Sequence, residues 1–273
     1  MFKRISAAVL AAASVALLAT PPAQASAPAR YVAMGSSFAA GPGIPPQRPG
    51  TPAACGRSTK NYASLVAAER GLALTDVTCS GATTANILTA GQAGQPPQIE
   101  AVTRDTRLVT ITIGGNDVGY VGSLFTYGCQ NTGGANCGQV DQDAVRTALT
   151  TVHEKIGAVI AAVHRRAPRA RVLVIDYLTI VPRVRPACDG VPLTPAQLAF
   201  EREIADRLAA ATRQAARDER ATLIPAATVS GDHDACAAIP WMERYVTAPG
   251  RVPYHPNEAG MAAVADLIMA RLR

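Results

Sequence analysis

Apolar residues along this chain alternate between short continuous runs and longer stretches of helical spacing. The runs fall at 30–35 (RYVAMG), 74–81 (LTDVTCSG), 108–115 (LVTITIGG), 171–178 (RVLVIDYL) and 221–227 (ATLIPAA). Several are nearly unbroken in Val, Ile, Leu and Thr, which predicts strands covered on both faces, as in a parallel sheet. Between them the period becomes three and four. Leu149, Val152, Ile156, Val159, Ile160 and Val163 mark the inner face of a helix from Val145 onward. A helix over Asn61–Arg70 ends at Gly71, a residue suited to the left-handed position past a C-terminus. Thr194, Pro195 and Gln197 supply a cap, a first-turn proline and a capping-box partner for a helix reaching about Asp218, and Asn257 caps a last helix through Leu272.

Strand and helix alternate throughout, predicting one α/β domain with helices on both faces of its sheet. No repeat or linker divides residues 26–273. Long loops are expected at 41–60, 82–106, 116–140, 179–193 and 228–256. In such sheets ligands bind beyond the carboxyl ends of the strands, which directs attention to the residues that follow each run.

The chain opens differently. Lys3 and Arg4 precede an apolar stretch from Ile5 to Ala19, then Pro21, Pro22 and the small residues Ala23 to Ala25. This is the pattern of a secretory signal peptide over residues 1–25. The apolar run is shorter than the roughly 20 residues of a membrane span, so no stable membrane anchor is expected. Loss of Lys3 and Arg4 lowers the formal charge from +6 to +4. The cations are almost all arginine. They are scattered except at 165–171 (RRAPRAR), where they suit a helix end. Without interleaved aromatics or a binding motif, they predict no nucleic-acid partner.

Six cysteines, at 55, 79, 129, 137, 188 and 236, lie in the exported part and imply disulfides. Proximity favours Cys55–Cys79, Cys129–Cys137 and Cys188–Cys236. No C-x-x-C pair exists and the four histidines are dispersed, so no metal is expected.

Four segments at strand ends carry candidate chemistry. Ser36 and Ser37 follow the first run, Gly81 the second, and Asn116, in GGND, the third; His255 stands in YHPN before the last helix. A nucleophilic hydrolase needs a hydroxyl, a neutral imidazole to take its proton and donors for the oxyanion. Ser37, His255, and the amides of Ser37, Gly81 and Asn116 meet those needs. Each also has a plainer reading: turn glycines, a turn asparagine, a histidine beside a helix cap. His153 and His164 fall on the amphipathic helix, and His233 in GDHDAC is the competitor to His255. With an unperturbed imidazole, activity is expected to fall below about pH 6.5. Tyr120, Phe125, Tyr127, Trp241 and Met242 are candidates for an acyl groove, or else packing residues.

GSSFAAG, SGA, GGND and YHPN, in this order over essentially the whole exported chain, resemble the four sequence blocks of the SGNH (GDSL-type) hydrolases. GDHDAC, the Trp241 region and the cysteines resemble its secreted actinobacterial lipase/esterase branch. The resemblance implies a flavodoxin-like three-layer α/β/α sandwich, three sequential disulfides, and ester hydrolysis with no cofactor or metal. It places the nucleophile at Ser37, the base at His255 and oxyanion donors at Ser37, Gly81 and Asn116. Two departures stand out. Ser36 occupies the family's usual Asp position. Val252, three residues before His255, replaces an Asp that orients the imidazole, so a main-chain carbonyl at Val252 is expected to orient it, with Asp232 or Asp234 as the alternative. The expected activity is that of a secreted carboxylic-ester hydrolase acting as a monomer on small-molecule or lipid esters. The alternatives are a carbohydrate acetyl esterase and a non-catalytic binding protein on the same fold.

Overall fold

The computed structural model describes residue 2 and residues 27–273, so the export leader assigned to 1–25 lies, but for Phe2, outside the described residues. The elements run β1 (Arg30–Gly35), α1 (Ser37–Ala40), α2 (Tyr62–Arg70), β2 (Ala73–Asp76), α3 (Thr84–Leu88), β3 (Thr106–Thr112), α4 (Tyr120–Asn131), α5 (Gln142–Arg166), β4 (Arg171–Ile175), α6 (Pro195–Asp218), β5 (Thr222–Ile224), α7 (Ala226–Val229) and α8 (Glu258–Arg271). The five strands form one parallel sheet in the order β2-β1-β3-β4-β5. This is the flavodoxin-like order, whose winding reverses between β1 and β3. Helices α2 and α8 pack together, as do α5 and α6, giving the layers that cover the sheet. From Leu108 on, β3 is fully buried, as an unbroken apolar run requires.

Four strands are shorter at their carboxyl ends than the apolar runs that predict them, β5 ending at Ile224 where its run continues into α7. The ladder stops at Asp76, Thr112 and Ile175, yet Thr78, Ile113, Asp176, Tyr177 and Leu178 stay buried. There the chain leaves the sheet to line the crevice above it.

The expected loop at 116–140 contains a helix instead, α4. Its sequence, YVGSLFTYGCQN, has two glycines and three aromatics, which are weak helix formers. Tertiary packing forms it: Tyr120, Val121, Leu124 and Tyr127 are buried, and the Tyr245 ring lies where a Cβ on Gly128 would stand, 2.4 Å from its nearest atom. Disulfides join Cys55–Cys79, Cys129–Cys137 and Cys188–Cys236. The first ties the loop after α1 to the end of β2. The last joins two long loops separated by 48 residues, where the constraint on an unfolded chain is largest.

Candidate active site

The turn after β1 is held so tightly that few residues fit it. Gly35 has φ +133°, and a Cβ there would stand 2.3 Å from the Thr112 carbonyl oxygen, so only glycine is accommodated. The Gln98 side chain grips its backbone from both sides, accepting from Gly35 N–H at 2.8 Å and donating to its carbonyl at 3.1 Å. Ser36 N–H donates to the Thr112 carbonyl at 3.0 Å. Ser37 then begins α1, where its N–H has no acceptor within its own helix.

His255 reaches this turn from the other end of the chain. Its Nε2 lies 2.8 Å from Ser37 Oγ and its Nδ1 2.8 Å from the Pro253 carbonyl. A carbonyl only accepts, so Nδ1 carries the proton and Nε2 presents a lone pair to the hydroxyl. The orienting carbonyl is therefore that of Pro253, and the assignment to Val252 is corrected. Tyr254 takes φ +56°, and this left-handed turn aims the carbonyl two residues before the imidazole at Nδ1, not the one three before; Val252 lines the adjoining pocket. Asp234 accepts from Arg185 and from Cys236 N–H, and His233 stacks on Trp241 at 3.9 Å with Nδ1 at the Ile239 carbonyl. Neither group bonds to His255 or Ser37.

Burial of His255 against Phe38 and Phe125 (ring centroids 5.5 and 6.3 Å away) lowers its pKa to about 4, below the 6.5 assumed from sequence. Removal from water penalises the imidazolium, and the Pro253 carbonyl offsets only part of that penalty.

The loops after β2 and β3 are fastened to each other. Asn116 donates one amide hydrogen to the Ala82 carbonyl at 2.8 Å, leaving the second free. Asp117 accepts from Thr84 N–H at 3.0 Å and from its hydroxyl at 2.5 Å. Gly81 holds φ +79° in the same turn. Ser37, Gly81, Asn116 and His255 all open on one cavity of about 950 Å³, walled by Pro42, Pro45, Val121, Phe125, Pro249 and Val252. Of the five residues considered for an acyl groove, Phe125 lines this cavity. Tyr120 faces a second, small cavity, while Tyr127 and Met242 are packed in the core.

One contributor escaped the sequence reading. The Tyr177 hydroxyl lies 3.2 Å from Ser36 Oγ and accepts from Gly115 N–H at 2.9 Å. It thus bridges the turns after β1 and β3. A Cβ on Gly115 would stand 2.7 Å from this hydroxyl, so glycine there and tyrosine opposite go together. Burial pushes the Tyr177 pKa up to about 12. Its position just past β4, at the carboxyl edge of the sheet, is the signal that could have identified it.

A hydroxyl hydrogen-bonded to a buried imidazole, at the switch point of a doubly wound sheet, is the arrangement of a serine hydrolase. The sequence model of the GDSL-like lipase/acylhydrolase family matches residues 33–263, and the chain belongs to that family. It is 35% identical to Lipase 2 of Streptomyces coelicolor over 258 residues, 91% of this chain and 87% of that one. Among solved structures, the phospholipase A1 of Streptomyces albidoflavus matches with TM-score 0.72 and 27% identity over 89% of this chain and 99% of that one. The extracellular lipase of Streptomyces rimosus matches with TM-score 0.71 and 28% identity over 88% and 98%. The protein is a carboxylic-ester hydrolase.

Proposed function

We propose that the protein is an exported lipase/esterase that works through an acyl-enzyme on a Ser37–His255 dyad. His255 Nε2 takes the Ser37 proton as Oγ attacks the ester carbonyl. The developing oxyanion receives hydrogen bonds from Ser37 N–H, Gly81 N–H and the free hydrogen of the Asn116 amide. His255 then gives the proton to the departing alcohol, and water attacks the acyl-enzyme by the same route in reverse. Pro253, not a carboxylate, fixes the imidazole tautomer, so it supplies orientation without a full countercharge for the imidazolium. The observation that carries this reading is the 2.8 Å contact between His255 Nε2 and Ser37 Oγ, opening on the 950 Å³ cavity.

Apolar walls on that cavity support acyl esters of lipids as substrates, in keeping with the relatives named as lipases. Export is supported by the leader-like residues 1–25 and the three disulfides. Labelling with a fluorophosphonate and mapping the modified peptide tests the assignment. A label on Ser37 is expected, and a label on Ser36, or on no serine, sinks it. Nitrophenyl esters of increasing chain length test the substrate: a rate that peaks on long acyl chains is expected, whereas activity on acetyl alone marks a carbohydrate acetyl esterase.

A further inference from the structure

The edge of the sheet opposite the active site has a different chemistry. Arg30 opens β1, Arg171 opens β4, and Arg107 is the second residue of β3, which lies between them. The register brings these strand starts together, Arg30 beside Thr106 and Leu108 beside Arg171. Arg166, at the end of α5, donates to the Val102 carbonyl at 3.1 Å, tying the helix end that carries Arg165, and the turn with Arg169 that follows it, to the segment before β3 that carries Arg104. All seven of these arginines are exposed.

Two observations characterise this pole. The first is pairing. Elsewhere Arg146 and Arg207 meet Glu203, Arg183 meets Asp206, Arg185 meets Asp234, and Arg251 meets Glu243 and Glu258, while Arg213, Arg217, Arg220 and Arg271 are exposed without an ion pair among the described residues. At the pole, Asp105 is the only carboxylate paired with any of the seven among the described residues, 3.4 Å from Arg30. Among the described residues the other six form no ion pair, Arg166 donating instead to a carbonyl. The second is the absence of anything else. Among the described residues the exposed large apolar side chains are Phe2, near the start of the chain, and Val184, Val229, Ile239 and Val246, in other segments; 104–107 and 165–171 hold no aromatic residue, and Tyr31 beside Arg30 is buried.

We propose that this pole is a docking surface for an extended anionic polysaccharide bearing sulfate, phosphate or carboxylate groups along its chain. Unpaired guanidiniums at the strand starts and on the α5–β4 turn offer planar forks suited to oxyanions spaced along a chain. Binding of a polyanion needs only spaced cations and the release of its counterions. A folded protein partner needs buried aromatic or aliphatic anchors, which this face lacks. Single-stranded nucleic acid needs stacking platforms, also lacking here. A bilayer is disfavoured by geometry. The six residues of β1 set the pole about 20 Å from Ser37 and on the far side of the sheet, so docking there turns the cavity away from the lipid. Held on a polymer by this face, the enzyme keeps its active site open outwards.

The test is retention of the intact protein on immobilised heparin under a salt gradient, with affinity measured by titration. Two variants remove four charges each. One is R107Q/R165Q/R169Q/R171Q at the pole; the other is R146Q/R183Q/R207Q/R213Q, taken from elsewhere on the surface. The pole variant is expected to bind heparin at least tenfold more weakly and to show a shallower salt dependence, while the other keeps most of the affinity. Both are expected to hydrolyse a soluble short-chain nitrophenyl ester at the wild-type rate, since none of these residues touches the cavity. Equal losses in the two variants overturn the proposal, because net charge alone then explains binding, and so does failure of the wild type to bind. Tighter, pole-dependent binding to phosphatidylglycerol vesicles than to heparin overturns it in favour of a membrane.

Discussion

His255 and Glu201 are the two buried ionisable groups whose contrast says most about this molecule. Both are almost inaccessible, and burial neutralises both: it lowers the imidazole to about pH 4 and raises the Glu201 carboxyl to about 8. They differ in their neighbours. His255 has a carbonyl for one nitrogen and a hydroxyl for the other. Neither oxygen of Glu201 has a hydrogen-bond partner, and the nearby hydroxyls of Tyr120 and Tyr254 are also unpartnered. The neighbouring Ser123 donates its proton to the Tyr120 carbonyl, and its hydroxyl offsets only part of the desolvation that raises the carboxyl. Desolvation alone therefore makes no functional site. It makes a base where the neutral form is hydrogen-bonded and aimed, and a cost where it is not.

If that contrast is right, the largest effects come from the satisfied pair. Ser37→Ala or His255→Ala is expected to lower kcat by about 10⁴-fold or more on a nitrophenyl ester, with the fold intact by circular dichroism. Residual activity within tenfold of wild type ends the dyad assignment. Next comes Asn116→Ala, expected to lower kcat by about a hundred- to a thousandfold. The pH profile follows. With the base neutral down to about pH 4, kcat/KM at pH 5 is expected to stay near its neutral value, where an unperturbed imidazole would lose more than tenfold. An acid limb centred at pH 6.5 shows that His255 is more solvated than its apolar neighbours imply.

Tyr177 comes fourth and marks where the sequence stopped being legible. Ser37, Gly81, Asn116 and His255 could be picked out because one topological rule puts ligand-binding residues at strand ends. The place of Tyr177 just past β4 fits the same rule, but nothing local links it to Ser36, 141 residues away, or assigns Gln98 to the backbone of Gly35. The choice between Pro253 and Val252 rests on a positive φ at Tyr254, a non-glycine residue that gives no sequence sign of it. Helix α4 stayed hidden for a related reason: packing forms it against its own propensities. Tyr177→Phe is expected to lower kcat about tenfold with KM unchanged. It strands Gly115 N–H and frees Ser36, loosening both turns that flank the substrate carbonyl, at about one hydrogen bond's net worth each. A change in KM alone assigns Tyr177 to substrate binding.

The smallest effect on catalysis, none, is expected of Glu201→Gln, whose consequence is in stability. A carboxyl whose pKa rises from 4.5 in the unfolded chain to about 8 in the fold keeps its proton in the folded state across that window. The unfolded state loses its proton there and gains solvation, so stability falls as pH rises from 4.5 to 8. His255 acts in the opposite sense. The unfolded chain binds a proton below 6.5 that the fold refuses until about 4, so stability rises with pH between those values. The two slopes oppose each other between pH 4.5 and 6.5, and above 6.5 Glu201 acts alone. Glutamine keeps the neutral shape and removes the titration. Its stability is therefore expected to match wild type at pH 4 and to exceed it increasingly up to pH 8, by on the order of a few kcal/mol, read as a widening difference in melting temperature. Melts at pH 4, 6 and 8 decide the matter: a constant offset between variant and wild type means that Glu201 finds a compensating partner in the fold, and the contrast with His255 then fails.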